Sequence, residues 1–211
     1  LFLSRKVFPL VVQLGMLKES KRDFKGMKEK PKRYSATLVL PQTLVLVGMM
    51  GAGKSSIGWR LARKLGIPFH DTDQEVERAA GCSVADIFET WGEKAFRDAE
   101  RRVIKRLLSS SVQIISTGDG AFIDEESRAL IKENSLSLWL RADPDVLYER
   151  VIRRDTRPLL FEGDAKQILD EMVERRYPLY GEADLIVESN DDAHEATVER
   201  VMEVLKCHIY D

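Results

Sequence analysis

Gly48-Met49-Met50-Gly51-Ala52-Gly53-Lys54-Ser55 is the stretch on which the fold turns. It fits the pattern G-x-x-x-x-G-K-[ST], and its flanks are those the pattern requires. Upstream, Thr43-Leu44-Val45-Leu46-Val47 is a short apolar, β-branched run that reads as a buried strand. Downstream, the residues from Ser56 to Leu65 carry Ile57, Leu61, Ala62 and Leu65 at the spacing of one helix face. A strand, a glycine loop and a helix start aim backbone N–H groups and a positive dipole end at one spot, which makes a phosphate cradle. The glycines permit φ values and a close approach that a Cβ would block. Lys54 then reaches the β- and γ-phosphates, and the Ser55 hydroxyl takes a place on Mg2+. A plain glycine turn between packed elements is outweighed by this setting. The stretch implies a site for a nucleoside triphosphate.

Further along, Gly66 stops the helix and Ile67-Pro68-Phe69-His70 reads as a second strand, ending at Asp71-Thr72-Asp73. Gln74 to Ala80 is helical, and Ser83 caps a helix over Val84–Glu89 with Asp86 as a weak capping box. Gly92 breaks the chain before a longer helix, Lys94–Leu108. Val112-Gln113-Ile114-Ile115-Ser116 is a third strand running into Thr117-Gly118-Asp119-Gly120. Asp124 caps a helix over Glu125–Glu133, Leu136–Leu140 is a fourth strand, and Asp143-Pro144 starts a helix to about Arg153. Residues 154–164 are charged and contain Pro and Gly, which suits a loop. A helix from Asp164 to Tyr177 stops at Pro178, Asp184–Glu188 is a fifth strand, and Asp191–Cys207 a final helix. Strands alternating with helices give an α/β fold with a parallel sheet covered on both faces.

Composition narrows the partners. Residues 1–43 hold ten Lys/Arg against three acids, so that segment is +7 and the remainder −9. An acidic body argues against a general nucleic-acid binder. The basic head, residues 1–41, reads as a poorly ordered extension, with the kinase-like domain over 42–211. A signal peptide or transit peptide fits it less well: Pro9 and Gln13 interrupt the apolar run, no A-x-A site follows, and serine is sparse. Met16 and Met27 are alternative starting points. No apolar run approaches the roughly 18–20 residues that span a bilayer. Cys82 and Cys207, without a CxxC, suggest a reducing compartment and no zinc site. His70 reads as structural, His194 and His208 as solvent-facing, and Trp59, Trp91 and Trp139 as core or half-buried packing.

The features that narrow the reaction lie downstream, at strand ends where open α/β sheets place their ligands. Asp71 and Asp73 follow the second strand, where they could also simply cap the next helix. Phe96-Arg97-Asp98-Ala99-Glu100 sets an arginine on a helix with a glutamate one turn on. The alternative for that couple is a surface i,i+3 pair. Arg153, Arg154 and Arg157 bracket a candidate flap that ends in Arg157-Pro158-Leu159-Leu160. Arg175-Arg176-Tyr177-Pro178-Leu179-Tyr180 adds a further basic cluster, in which Arg175 reads as a solvated face residue. Arginines from separate segments, with paired aspartates, suit a small substrate bearing a carboxylate and hydroxyls.

With these motifs in this order, the chain resembles the shikimate kinase family over about residues 43–208. Each motif alone is weak, whereas the ordered set is specific. The resemblance implies a three-layer P-loop kinase fold like that of nucleoside monophosphate kinases. Its five-stranded parallel sheet would have the order 2-3-1-4-5, flanked by helices, with a short lid. It further implies transfer of the γ-phosphoryl of ATP, with Mg2+, to the 3-hydroxyl of shikimate in aromatic amino acid biosynthesis. A cytoplasmic monomer is expected, with no nucleic acid and no membrane.

Carried onto this sequence, Gly48, Met49, Met50, Gly51, Ala52, Gly53, Lys54, Ser55 and Ser56 hold the phosphates. Ser55 binds the metal, and Asp71 does so through water. Asp73 holds the substrate hydroxyls and is the candidate base. Arg97 and Arg176 clamp the carboxylate, while Phe88, Phe96 and Leu159 line the ring pocket. Gly118, Asp119 and Gly120 approach the substrate. Arg157 neutralises the transferring phosphoryl group, which with Lys54 and Asp73 completes the catalytic set. Arg153 or Arg154 covers the adenine.

Asp119 departs from the pattern, because the family has three successive glycines there. A carboxylate about 4 Å from an anionic substrate, at an effective dielectric near 20, repels it by about 4 kcal/mol. Three readings stay open: a tolerated variant in an active kinase, a disabling change in a chain that still binds ATP, or a carboxylate on the metal side. The functional alternatives are accordingly a kinase-derived nucleotide-binding protein or another small-molecule kinase of gluconate type.

Overall fold

The structure is a computed structural model that describes residues 38–153 and 164–210. Five strands, β1 (Leu44–Val47), β2 (Phe69–Asp71), β3 (Ile114–Ser116), β4 (Leu136–Arg141) and β5 (Leu185–Glu188), form one sheet. Their order is β2-β3-β1-β4-β5, and every pairing is parallel. Leu44 stands opposite Ile114 on one side and Leu136 on the other, which fixes the register of the three central strands. A parallel sheet buried on both faces needs continuous apolar strands rather than alternating ones. All four residues of β1 are buried, as are the first five of β4. Leu38 and Leu40, upstream of β1, also join the core.

Helix α1 (Lys54–Leu65) follows the glycine loop and is stopped by Gly66 in the left-handed region at φ 69°. Gly58 makes close packing against the sheet possible. A Cβ there would lie 2.7 Å from Phe69 Cε2 and 3.0 Å from Leu46 Cδ1. Gly58→Ala is therefore expected to destabilise by about 1–3 kcal/mol through overpacking, although alanine is the better helix former. Urea unfolding checks the sign, and a stabilised variant would contradict this packing.

Helix α2 (Thr72–Ala80) is capped by Asp71, whose carboxylate accepts from the Asp73 N–H at 3.1 Å and the Gln74 N–H at 3.4 Å. Helix α3 (Val84–Leu108) opens on a reciprocal Ser83–Asp86 capping box. The break expected at Gly92 is a kink inside this helix, with φ 78° and ψ 173°. Helices α4 (Glu125–Asn134) and α5 (Pro144–Ile152) start at the caps read from the sequence, Asp124 and Asp143.

Helix α6 (Ala165–Tyr180) runs through Pro178 instead of stopping before it. Proline lacks an N–H for the preceding turn, but only two residues remain before the end. The Gly181 N–H closes that turn on Tyr177 O at 2.9 Å. Aromatic packing holds it there: Trp139 meets Tyr177 edge-on at 4.9 Å and stacks on Tyr180 at 5.9 Å. Helix α7 occupies His194–Tyr210, three residues later at each end than the spacing predicts.

Two of the three tryptophans differ from expectation. Trp139 is buried, but Trp59 and Trp91 are 49% and 60% exposed. On α1 the Arg63 guanidinium lies 5.6 Å from the Trp59 ring centre, so cations partly cover that ring in place of the core. Trp91 precedes the Gly92 kink, where the helix axis changes. Among the described residues no helix is long and apolar enough to cross a membrane.

Candidate active site

The glycine loop, the start of α1 and the carboxyl ends of β2 and β3 enclose a cleft of about 160 Å³. Its walls include Gly51, Gly53, Lys54, Ser55, Asp71, Asp73, Thr117, Gly118 and Asp119. Gly48 lets the loop leave β1 tightly, since a Cβ there would lie 2.7 Å from Leu140 O. Gly53 sits at φ 92° and starts α1 with no side-chain cap, and the first turn holds no acid. The first N–H groups of α1 thus face the cleft without a competing carboxylate of their own helix, as an anion requires. The loop is braced from behind. Arg150 on α5 donates to Gly51 O at 3.3 Å and to Ser189 Oγ at 3.0 Å, and Ser189 donates to Ala52 O at 2.8 Å. These braces escape sequence reading because Arg150 and Ser189 lie about 100 residues or more from the loop.

Lys54 is buried and donates to Gly48 O at 2.7 Å and Met49 O at 2.9 Å, curling across its own loop. Ser55 Oγ donates to Asp71 Oδ2 at 2.7 Å and lies 3.2 Å from Ser116 Oγ. Asp71 thus caps α2, as one of its two readings has it, and also accepts from Ser55. Ser55, Asp71 and Ser116 form an oxygen-only set, the donor chemistry that suits Mg2+. Ser116 ends a buried strand, and its sequence carries no signal of this contact.

Asp73 lies deeper, beside the loop after β3. A Cβ at Gly118 would sit 2.7 Å from Asp73 Oδ1 and 2.9 Å from Glu100 Oε1. Glycine is needed there because two carboxyl groups press against its backbone. The Gly118 N–H donates to Thr72 Oγ1 at 3.0 Å, tying the loop to α2.

Arg97 on α3 is held by the fully buried Glu100, Nη1 to Oε2 at 2.6 Å, and more loosely by Glu93 at 3.4 Å. This is no surface pair. The guanidinium fills the space a side chain at Gly120 would take, with Nη2 2.1 Å from that Cβ position. Phe88 and Phe96 pack with ring centres 4.8 Å apart, and Arg97 lies 5.1 Å from the Phe96 ring. Phe96 is buried and Phe88 is 38% exposed, and neither lines the cleft.

Arg176 on α6 reaches the same loop from the other side, and its Nη1 donates to Asp119 Oδ2 at 2.8 Å. Fully buried Tyr180 donates its hydroxyl to the Asp119 carbonyl oxygen, so the aromatic cluster fixes the backbone of this loop. Arg97, Asp73, Asp119 and Arg176 thereby converge, although they come from four separate segments. Arg153, at the end of α5, is exposed and paired with Glu149 at 3.0 Å. Arg154, Arg157 and Leu159 lie outside the described residues.

Burial pushes the Glu100 carboxyl up to about 7, against the pull of Arg97, and the Asp73 and Asp119 carboxylates add to the push. The folded chain therefore keeps a proton that the unfolded chain releases above its ordinary value of 4.5. This contribution to stability is complete below pH 4.5 and is lost as pH rises through about 7. Glu100→Gln is expected to flatten that decline relative to the native chain, read as unfolding free energy across this pH window. Parallel pH dependences in the two proteins would contradict it.

A family model described as shikimate kinase matches residues 50–206. A shikimate kinase of Paramagnetospirillum magneticum is 50% identical over 182 residues, covering 85% of this chain and 93% of that protein. One of Caulobacter vibrioides is 52% identical over 165 residues, covering 78% of this chain and 82% of that protein. The chain belongs to the shikimate kinase family. Among solved structures, a shikimate kinase from Acinetobacter baumannii in complex with shikimate superposes with a TM-score of 0.76 at 32% identity. That match covers 81% of this chain and 96% of the other. The sheet order observed is the one that the shikimate kinase resemblance implies.

Proposed function

We propose that this protein transfers the γ-phosphoryl of ATP to the 3-hydroxyl of shikimate, giving shikimate 3-phosphate and ADP for aromatic amino acid biosynthesis. The observation that carries this reading, beside family membership, is that Arg97 and Arg176 both reach the 118–120 loop, whose Gly118 and Asp119 line the cleft that begins at the glycine loop. A phosphate cradle at one end and two guanidinium groups at the other suit a triphosphate tail and a small hydroxy acid placed end to end.

In this reading Gly48–Ser56 cradle the phosphates, and Lys54 exchanges its carbonyl partners for phosphate oxygens. Ser55, with Asp71 acting through water, would hold Mg2+, which neutralises phosphate charge when bound. Asp73 orients the acceptor hydroxyl and accepts its proton. Arg97 and Arg176 take the carboxylate, and Phe88, Phe96, Leu159 and the loop Gly118–Gly120 shape the ring pocket. Arg157 brings positive charge to the phosphoryl group, and Arg153 or Arg154 covers the adenine. Phosphoryl transfer asks a protein mainly for alignment and for charge at the equatorial oxygens, which this set supplies. A cytoplasmic monomer completes the reading, supported by two free cysteines for the compartment.

ADP release coupled to a spectrophotometric readout tests it. Turnover that requires both MgATP and shikimate is expected. ATP binding without shikimate-dependent turnover would favour a nucleotide-binding protein that has lost catalysis.

A further inference from the structure

The residue that breaks the glycine motif does not turn toward solvent. Asp119 Oδ2 accepts from Arg176 Nη1 at 2.8 Å, and the two side chains are only 16% and 24% exposed. Its carbonyl oxygen accepts from the Tyr180 hydroxyl, which holds the loop backbone beside Arg176. On the other side, Arg97 fills the space beside Gly120 and is already matched by Glu100. Each arginine of the acid clamp therefore faces a carboxylate belonging to the protein.

We propose that Asp119 is a built-in occupant of the substrate-acid clamp, a specificity-determining residue that the substrate carboxylate must displace from Arg176. The inference rests on the shikimate kinase reading and adds a consequence to it. An incoming carboxylate exchanges one ion pair for another and gains less than it would at an open arginine. A neutral amide meets no charge repulsion from Asp119 and competes far less for Arg176. The native site accordingly discriminates weakly between an acid and its amide, and removing the Asp119 charge sharpens that discrimination.

Calorimetric titration of the full chain with shikimate and with its primary amide tests this, using the native protein, Asp119→Gly and Asp119→Asn. Both variants are expected to bind shikimate about tenfold more tightly, which corresponds to about 1.4 kcal/mol. Affinity for the amide should change by less than about twofold, a difference that general loosening of the loop would not produce. Asp119→Asn keeps the side-chain shape and remains informative if the glycine variant folds poorly. Unchanged or weaker shikimate affinity in Asp119→Asn overturns the inference, and so does equal tightening of acid and amide. If no version binds shikimate while all bind ATP, the functional reading itself falls and takes the inference with it.

Discussion

Replacing Lys54 by alanine is expected to lower kcat by about a thousandfold, about 4 kcal/mol of transition-state stabilisation. The physical reason is position. Lys54 begins α1 and is buried, and its ammonium lies over the loop carbonyls of Gly48 and Met49. It needs only a local rotation to meet phosphate oxygens, and it acts in a site partly shielded from water, where a fixed charge counts for more. A screened surface lysine would matter far less. The assay is steady-state ADP release, with circular dichroism to establish that the variant folds. A loss below about tenfold would remove Lys54 from the catalytic set.

The second large effect is expected at Asp73, where Asp73→Asn keeps the shape but not the basicity. General-base assistance contributes about 10²–10⁴-fold, so kcat should fall within that range while the KM for shikimate changes little. If Asp73 only holds substrate hydroxyls, the pattern reverses, with KM rising and kcat surviving. Its neighbours make the first outcome the expected one. Asp73 and Glu100 both press on Gly118, and burial with nearby negative charge already pushes Glu100 up to about 7. Asp73 thus stands beside the loop after β3 and lines the cleft, where it can orient an acceptor hydroxyl and take its proton.

Much of this molecule is legible in its sequence, for reasons that differ by element. The strand, glycine loop and helix around Lys54 form a local unit, so pattern and geometry coincide there. Caps at Ser83, Asp124 and Asp143 are equally local, and each helix starts where its cap stands. Helix α6 misleads because the proline rule is local while the burial of Tyr177 and Tyr180 against Trp139 is not. Trp59 and Trp91 mislead because a large apolar residue type does not by itself say which face of its helix meets the core.

In the site, the arginines and aspartates are visible as residue types, but their partners are not. Asp119 and Arg176 stand 57 positions apart, and only the packing of α6 onto the loop after β3 brings them together. From the sequence, Asp119 reads as an unmatched charge beside an anion. The structure supplies its cation, and so turns an expected repulsion into a competition for Arg176. Arg157 and Leu159 remain assignments by resemblance, since they fall within 154–163, outside the described residues.

The most direct measurement is a crystal structure of the chain with both ADP and shikimate bound. The shikimate carboxylate is expected within hydrogen-bonding reach of Arg97 and Arg176, its 3-hydroxyl about 2.6–3.2 Å from Asp73, and the diphosphate on the N–H groups that begin α1. Shikimate bound away from these two arginines, or the diphosphate away from the glycine loop, would contradict it.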